Sequence, residues 1–362
     1  MKIVRSILLN IFTGASITVE LLMVAVAYSD RLHPADYPRL ACAGMAFPVF
    51  LIINVVILML WLMVKWKRAW IPLLGFLLAF PAIRIYLPLN VATEPPSQSI
   101  KVMSYNVGCY TYGKGGKSGH ELIDSIHEYV RSQNADIVCL QEDMTSSNNT
   151  TRYQELYPYT DTVHINRPRS SFVNAVGVYS RFPIVRSEQI RYESEANGSV
   201  AFYLKIGDDT VIVVNNHLES THLSQDDRDL YKDIISGSME GKDAKAETRH
   251  LLGKIGEAMV KRSAQAEAVH HFIESHNSYP IILCGDFNDT PISYVRRTVA
   301  QGLTDCYVET GCGLGITFKQ KGFAFRIDNI MCSDHFKPYG CHVDNSIKAS
   351  DHYPIICWLE KR

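Results

Sequence analysis

The sequence predicts an α/β fold with mixed sheets, carried behind three apolar helices long enough to cross a membrane. Three observations lead there. From Lys101 onward, short apolar runs alternate with stretches of helical spacing. Two of those runs, VAFYLKI (200–206) and DTVIVVNNHL (209–218), meet at Gly207-Asp208 as a hairpin, so antiparallel neighbours join the parallel ones. Before residue 90 the chain also holds three apolar stretches of about 20 residues or more, enough helix for a hydrocarbon core roughly 30 Å thick.

Those stretches run over about 7–28, 40–64 and 69–88, and residues 1–90 are read as a membrane anchor. Lys2 and Arg5 precede the first, and Lys65, Lys67 and Arg68 link the second to the third. The link between the first two, Ser29 to Arg39, balances two basic residues with two acids. Because cytoplasmic loops carry the basic excess, the amino terminus and the second link belong in the cytoplasm. The chain then leaves its third span on the extracytoplasmic side. Residues 91–100, polar and containing Pro95-Pro96, read as a stiff linker.

The rest, 101–362, is read as one catalytic domain. KVMSYNV (101–107) is a strand, and Glu121 to Gln133 places Leu122, Ile126, Tyr129 and Val130 at helical spacing. ADIVCLQE (135–142), NAVGVYSRFPI (174–184), PIILCGDFN (280–288), RIDNIMCS (326–333) and YPIICWLE (353–360) read as further strands. Leu251 to His276 reads as a helix. Glu219 to His250 is charged and weakly periodic, hence a loop or loosely helical insertion, with a substrate or membrane-contacting lid as its alternative reading.

Charge and cysteine content limit the function classes. The chain carries 36 basic and 37 acidic residues, and 101–362 has a net charge of −5. A groove for nucleic acid usually shows a basic excess, and here only Lys319, Lys321 and Arg326 cluster. Nine cysteines form no CxxC pair and no zinc spacing. Cys306 with Cys312, or Cys332 with Cys341, are the candidates for disulfides in an oxidising compartment.

Asn106, Glu142, His217, Asp286 with Asn288, Asp328, and Asp351 with His352 all fall at or beside strand ends. Acids, amides and imidazoles gathered on one rim of a sheet make a polar site over an apolar floor. Oxygen-rich ligands without thiolate suit a hard cation, Mg²⁺ or Mn²⁺, better than zinc. Each residue alone has a plain structural reading, such as an Asx turn for GDFN or a satisfied core histidine for His217. Their conjunction in strand context carries the signal.

SYNV, LQE, YSRFP, NNHL, GDFND, RIDNI and SDHYP, in that order, resemble the motif series of the endonuclease/exonuclease/phosphatase superfamily, which includes deoxyribonucleases and sphingomyelinases. The resemblance covers 101–362 and none of the anchor. It implies a four-layer α/β sandwich, two packed mixed sheets flanked by helices, with the site at one rim. Position by position, it implies Glu142 as principal Mg²⁺ ligand, with Asn106 and Asp351 at the metal. Asp286 would orient or deprotonate the attacking water, and Asn288 would hold a phosphate oxygen. His352, oriented by Asp328, would contact the phosphate, and His217 would stabilise charge or protonate the leaving oxygen. Tyr179 and Arg181, from the YSRFP motif, and Arg326 are expected at the substrate, with packing as the competing role for Tyr179.

The expected function is a membrane-anchored, metal-dependent hydrolase of a phosphodiester, in a lipid headgroup or nucleic acid. A phosphomonoesterase of the same fold and a non-catalytic phospho-ligand-binding membrane protein are the alternatives. No protein partner is inferable.

Overall fold

A computed structural model describes residues 2–111, 119–144, 153–165, 174–194, 196–221, 223–236, 238, 244–320 and 323–362. It opens with α1 (Lys2–Ala27), a single turn α2 (Pro38–Ala41) and α3 (Phe47–Lys65). The stretches Ile3–Arg31 and Pro38–Arg68 are long and apolar enough to cross a membrane. Only 17% and 22% of their apolar windows are buried, whereas the core helix of a soluble protein is mostly buried. The third expected span differs. Residues 69–88 form two short helices, α4 (Trp70–Leu78) and α5 (Phe80–Tyr86), meeting at Ala79. Pro81, in the first turn of α5, has no N–H to offer the carbonyl one turn earlier, so the ladder stops there.

The remaining elements are β1 (Ile100–Asn106), α6 (Gly119–Gln133), β2 (Ile137–Gln141), β3 (Tyr159–His164), β4 (Ala175–Ser180), β5 (Ile184–Ile190), β6 (Gly198–Ile206) and β7 (Asp209–His217). Then come α7 (Gln225–Ser236), α8 (Ala244–Ser275), β8 (Ile281–Asp286), α9 (Tyr294–Val299), β9 (Thr304–Asp305), α10 (Cys306–Thr310), β10 (Phe318–Gln320) and β11 (Phe323–Phe325). β12 (Asp328–Cys332), β13 (Phe336–Val343) and β14 (Ile355–Lys361) complete the chain. The 219–250 insertion therefore contains α7 and the first turns of α8, within its described residues.

Two six-stranded sheets form, ordered β13-β14-β1-β2-β4-β3 and β5-β6-β7-β8-β12-β9. Side chains such as Val102, Ile137 and Val178 from one, and Val213, Ile282 and Ile330 from the other, fill the space between them. Outside, Leu122, Ile126 and Val130 of α6 cover Val138, Leu140 and Ile356. Ala266, Val269 and Ile273 of α8 cover Val214, Leu283 and Met331 on the opposite side. The order helix, sheet, sheet, helix gives the four expected layers.

Each sheet has one parallel pair, β1 with β2 and β7 with β8, and these bring Asn106 beside Gln141 and His217 beside Asp286. Antiparallel β12 sets Asp328 opposite Asp286. Gly285 makes this register possible. Its φ is +128°, and a Cβ there would stand 2.0 Å from the Asn216 carbonyl oxygen, a backbone approach that only glycine permits.

The segment joining α1 to α3 packs on the α/β part. Ala41 and Cys42 share a core with Tyr231, Leu251, Ile255 and Met259. His33 pairs with Glu267 at 2.8 Å and Asp30 with Arg297 at 3.8 Å. Gly44 lies so close to Ile292 that a Cβ would meet its carbonyl oxygen at 1.9 Å. Lys65, Lys67 and Arg68 stand at the other end of α3, about 28 Å away along the helix. All nine cysteines are free, so neither candidate disulfide is joined. Cys306 lies instead against Cys332, with sulfurs 3.8 Å apart.

Candidate active site

The strand ends build the site in a definite order. β2 is a buried apolar run that ends in Gln141 and turns at Glu142, whose φ of +53° is rare for a side chain of that size. The turn leaves the carboxylate half-exposed in a cleft of about 480 Å³. Asn106, at the end of the neighbouring β1, donates through Nδ2 to Glu142 Oε1 at 3.2 Å and Asp286 Oδ2 at 3.0 Å. The Cys109 thiol reaches the other Glu142 oxygen at 3.3 Å.

Asp286 closes β8 almost fully buried, and its Oδ1 accepts the Asn288 backbone N–H at 2.7 Å. Asn288 adopts φ +52°, which asparagine tolerates better than most residues, and its Nδ2 donates to the Leu218 carbonyl at 2.9 Å. His352 Nε2 lies 3.7 Å from Asp286, and its Nδ1 is 2.9 Å from Asp328 Oδ2. The buried Thr317 hydroxyl accepts the N–H groups of both Ile327 and Asp328, fixing the start of β12. His217 Nε2 stands 3.6 Å from Glu142 and 3.9 Å from Asp286. Asp351 lines the cleft and accepts from Gln320. The structure thus brings Asn106, Glu142, His217, Asp286, Asn288, Asp328, Asp351 and His352 to one rim.

Electrostatics follow from burial and crowding. Burial first, and the Asp328 carboxylate second, push Asp286 up to about 7. Burial pulls the His352 imidazole down, but Asp328 and then Asp286 outweigh it and raise it to about 10. For Glu142 burial acts upward, and the nearby His217 and His352 bring it below the usual carboxylate range.

Three expected substrate contacts lie elsewhere. β4 runs antiparallel to β2, so its beginning, not its end, faces the cleft. Arg181 instead pairs with Asp136 at 2.9 Å, before β2 starts, about 20 Å from Glu142 at 3.3 Å per residue. Tyr179 is buried against Tyr153 and donates to Asp143 at 2.5 Å, a packing role behind Glu142. Arg326 is 2% exposed, donates to the carbonyls of Leu314 and Ile85, and lies 4.4 Å over the Tyr307 ring. Lys321, of the expected basic cluster, lies outside the described residues.

The residue at the cleft end of β4 is Asn174, whose Nδ2 is 3.3 Å from His217 Nδ1 and donates to the Ala196 carbonyl. It heads the same apolar run as Tyr179, and the direction of the strand is the missing signal. Arg228 and Gln320, bonded to each other, also line the cleft without a motif to mark them.

The sequence profile of the Endonuclease/Exonuclease/phosphatase family matches residues 103–352. A profile described as a domain of unknown function matches residues 9–86. No curated protein matches the chain. Among solved structures, the human Nocturnin catalytic domain is similar at TM-score 0.54 and 17% identity, over 75% of this chain and 97% of that one. An endonuclease/exonuclease/phosphatase from Bacteroides vulgatus aligns at TM-score 0.53 and 16% identity, over 74% and 100%. A humanized TDP2 from D. rerio aligns at 0.51 and 15%, over 73% and 100%. At these identities the likeness is one of fold.

Proposed function

The chain belongs to the endonuclease/exonuclease/phosphatase family, and on that premise we propose that it is a membrane-anchored, divalent-metal-dependent phosphodiesterase. One observation carries the reading: the Asp328–His352 pair stands beside Asp286, with Glu142 and Asn106 completing an oxygen-rich rim. Asp286, Asp328 and His352 each offer a ligating atom within 4.8 Å of the others. The second Asp328 oxygen is buried without a hydrogen-bond partner among the described residues. Such crowded carboxylates fit a hard cation. Glu142, Asn106, Asp286 and Asp351 would hold Mg²⁺ or Mn²⁺, which when bound neutralises charge building on the phosphate.

The chain's own groups account for the rest. Asp286, which burial and the Asp328 carboxylate push up to about 7, is placed to orient water and take its proton. His352 keeps its proton at neutral pH and offers it in a hydrogen bond to a phosphate oxygen, while Asp328 fixes the ring. His217, 3.6 Å from Glu142, would stabilise charge or protonate the leaving oxygen, and Asn288 has a second amide proton for phosphate.

Residues 1–90 would form the anchor. The basic cluster at 65–68 and the packing of the 29–46 link on the α/β part support a catalytic domain outside the cytoplasm. A carboxyl-terminal reporter active only in the cytoplasm would overturn that orientation.

The test of activity is turnover of bis-p-nitrophenyl phosphate by the full chain in detergent, with Mg²⁺, Mn²⁺ or chelator. Metal-dependent hydrolysis lost in Glu142→Ala and His352→Ala is the expected result. Ligand binding by folded protein without turnover of any diester or monoester would replace the enzyme with a binding protein.

A further inference from the structure

Beside the catalytic cleft lies a second cavity, of about 110 Å³, whose walls differ in kind. Its interior is lined by Met45, Ile255, Met259, Phe323, Phe325 and Ile327. The two spaces share Ser220, Arg228, Asn288 and Phe318, so the cavity opens off the cleft at the site itself. Its lining also includes Met45, two residues before the apolar helix α3 begins. The cavity therefore runs from the rim of acids and imidazoles to the junction with the membrane-spanning part.

We propose that this cavity is a subsite for the alkyl or acyl portion of an amphipathic phosphoester, so that the substrate is a lipid phosphate with its headgroup in the cleft. This rests on the phosphoesterase reading above and narrows it. The buried cation in the wall, Arg262, is already committed. Arg262 faces Asp289 at 3.4 Å and donates to the Glu219 carbonyl and the Thr221 hydroxyl at 3.0 Å each. The six interior residues offer a ligand apolar surface, while the polar Ser220, Arg228 and Asn288 lie where the cavity meets the cleft. Size argues the same way. A cavity of about 150 Å³ accommodates benzene, so this one takes a chain of a few carbons and excludes a purine. The acidic balance of 101–362 also disfavours a polyanion.

The test uses the full chain in detergent and a series of alkyl p-nitrophenyl phosphodiesters from methyl to hexyl, all water-soluble, with Mg²⁺. Each buried methylene should raise kcat/KM about fourfold over the first few carbons, then the gain should level off as the cavity fills. Met259→Trp, which fills the cavity, should collapse the hexyl-to-methyl ratio. The ratio is internal to each preparation, so partial misfolding does not mimic the effect, and the unsubstituted chain alone already supplies the length dependence. A flat series with the methyl ester still hydrolysed overturns the subsite and spares the phosphoesterase reading. So does a ratio that survives Met259→Trp, or faster cleavage of an oligonucleotide than of the hexyl ester. No turnover of any ester defeats the reading underneath, and the subsite with it.

Discussion

Replacing Asp328 with Asn removes one negative charge and keeps the shape, which makes it the sharpest probe of the His352 pair. Asp328 Oδ2 is 2.9 Å from His352 Nδ1, and both side chains are buried. The imidazole rises from 6.5 to about 10, and Asp328 is the largest contributor acting upward. That rise corresponds to about 5 kcal/mol at about 1.4 kcal/mol per tenfold. Asp286 shares in it, so the fraction tied to Asp328 is better taken from a buried hydrogen bond to a charged group, about 1.5–3 kcal/mol. Asp328→Asn should therefore lower kcat about 10- to 150-fold at neutral pH, with a smaller change in KM. It should also move the alkaline limb of the pH–rate profile down by about one to two pH units. A bound cation lowers the limb in both proteins alike, so the comparison between them is what counts. The fold responds with the same sign. A histidine raised on folding contributes stability that is complete below 6.5 and lost as pH climbs towards 10. The assay is bis-p-nitrophenyl phosphate turnover from about pH 6 to 10, with thermal melts to confirm folding. A loss of activity equal at every pH, in a folded variant, would refute the role given to Asp328.

Three further outcomes follow from the geometry. Because Asp286 sits near 7, a proton competes with the cation, and apparent Mg²⁺ affinity by calorimetry should fall up to about tenfold per pH unit below that value; a flat profile would remove Asp286 from the metal site. Asp305→Asn leaves Arg296, its partner at 2.6 Å, buried and uncompensated, and should destabilise the protein by about 3–5 kcal/mol in denaturant melts. Asp305 titrates below 3.8 in the fold, so its contribution is present above that pH and vanishes as pH drops through the lower folded value, whereas Asp305→Asn should show no such acid-side loss. Arg181→Ala should leave turnover within about threefold and cost at most about 1 kcal/mol, since its pair with Asp136 is partly exposed; a large KM effect would return it to the substrate.

Why some of this was readable in the chain and some was not has a physical explanation. ADIVCLQE and PIILCGDFN are continuous apolar runs that break into polar residues, and buried parallel strands leave that trace together with its direction. NAVGVYS carries the same trace, but nothing in it says which end meets the cleft, and antiparallel pairing put Asn174 there instead of Tyr179 and Arg181. Arg326 looked like a phosphate contact because it precedes Asp328, yet its place is set by the Ile85 carbonyl, 241 residues away in the chain. β3, β5 and β13 lie at the sheet edges with exposed and half-buried residues intermixed, a pattern too irregular to separate from loop. The third apolar stretch satisfied length and composition, and the break at Ala79 came from backbone hydrogen bonding, which hydropathy ignores.

The clasp between the first two apolar helices and the α/β part bears on how the molecule can be dissected. Ala41, Cys42 and Met45 close a core whose other half is Ile255, Met259, Phe323 and Phe325. Excising everything before β1 would open that core and leave a sticky apolar face next to the catalytic rim. A shortened version made for convenience would tend to aggregate and would report on a damaged cleft. Residues before β1 are thus a wall of the α/β part as well as a pair of apolar helices, and they have to be kept in any reconstitution.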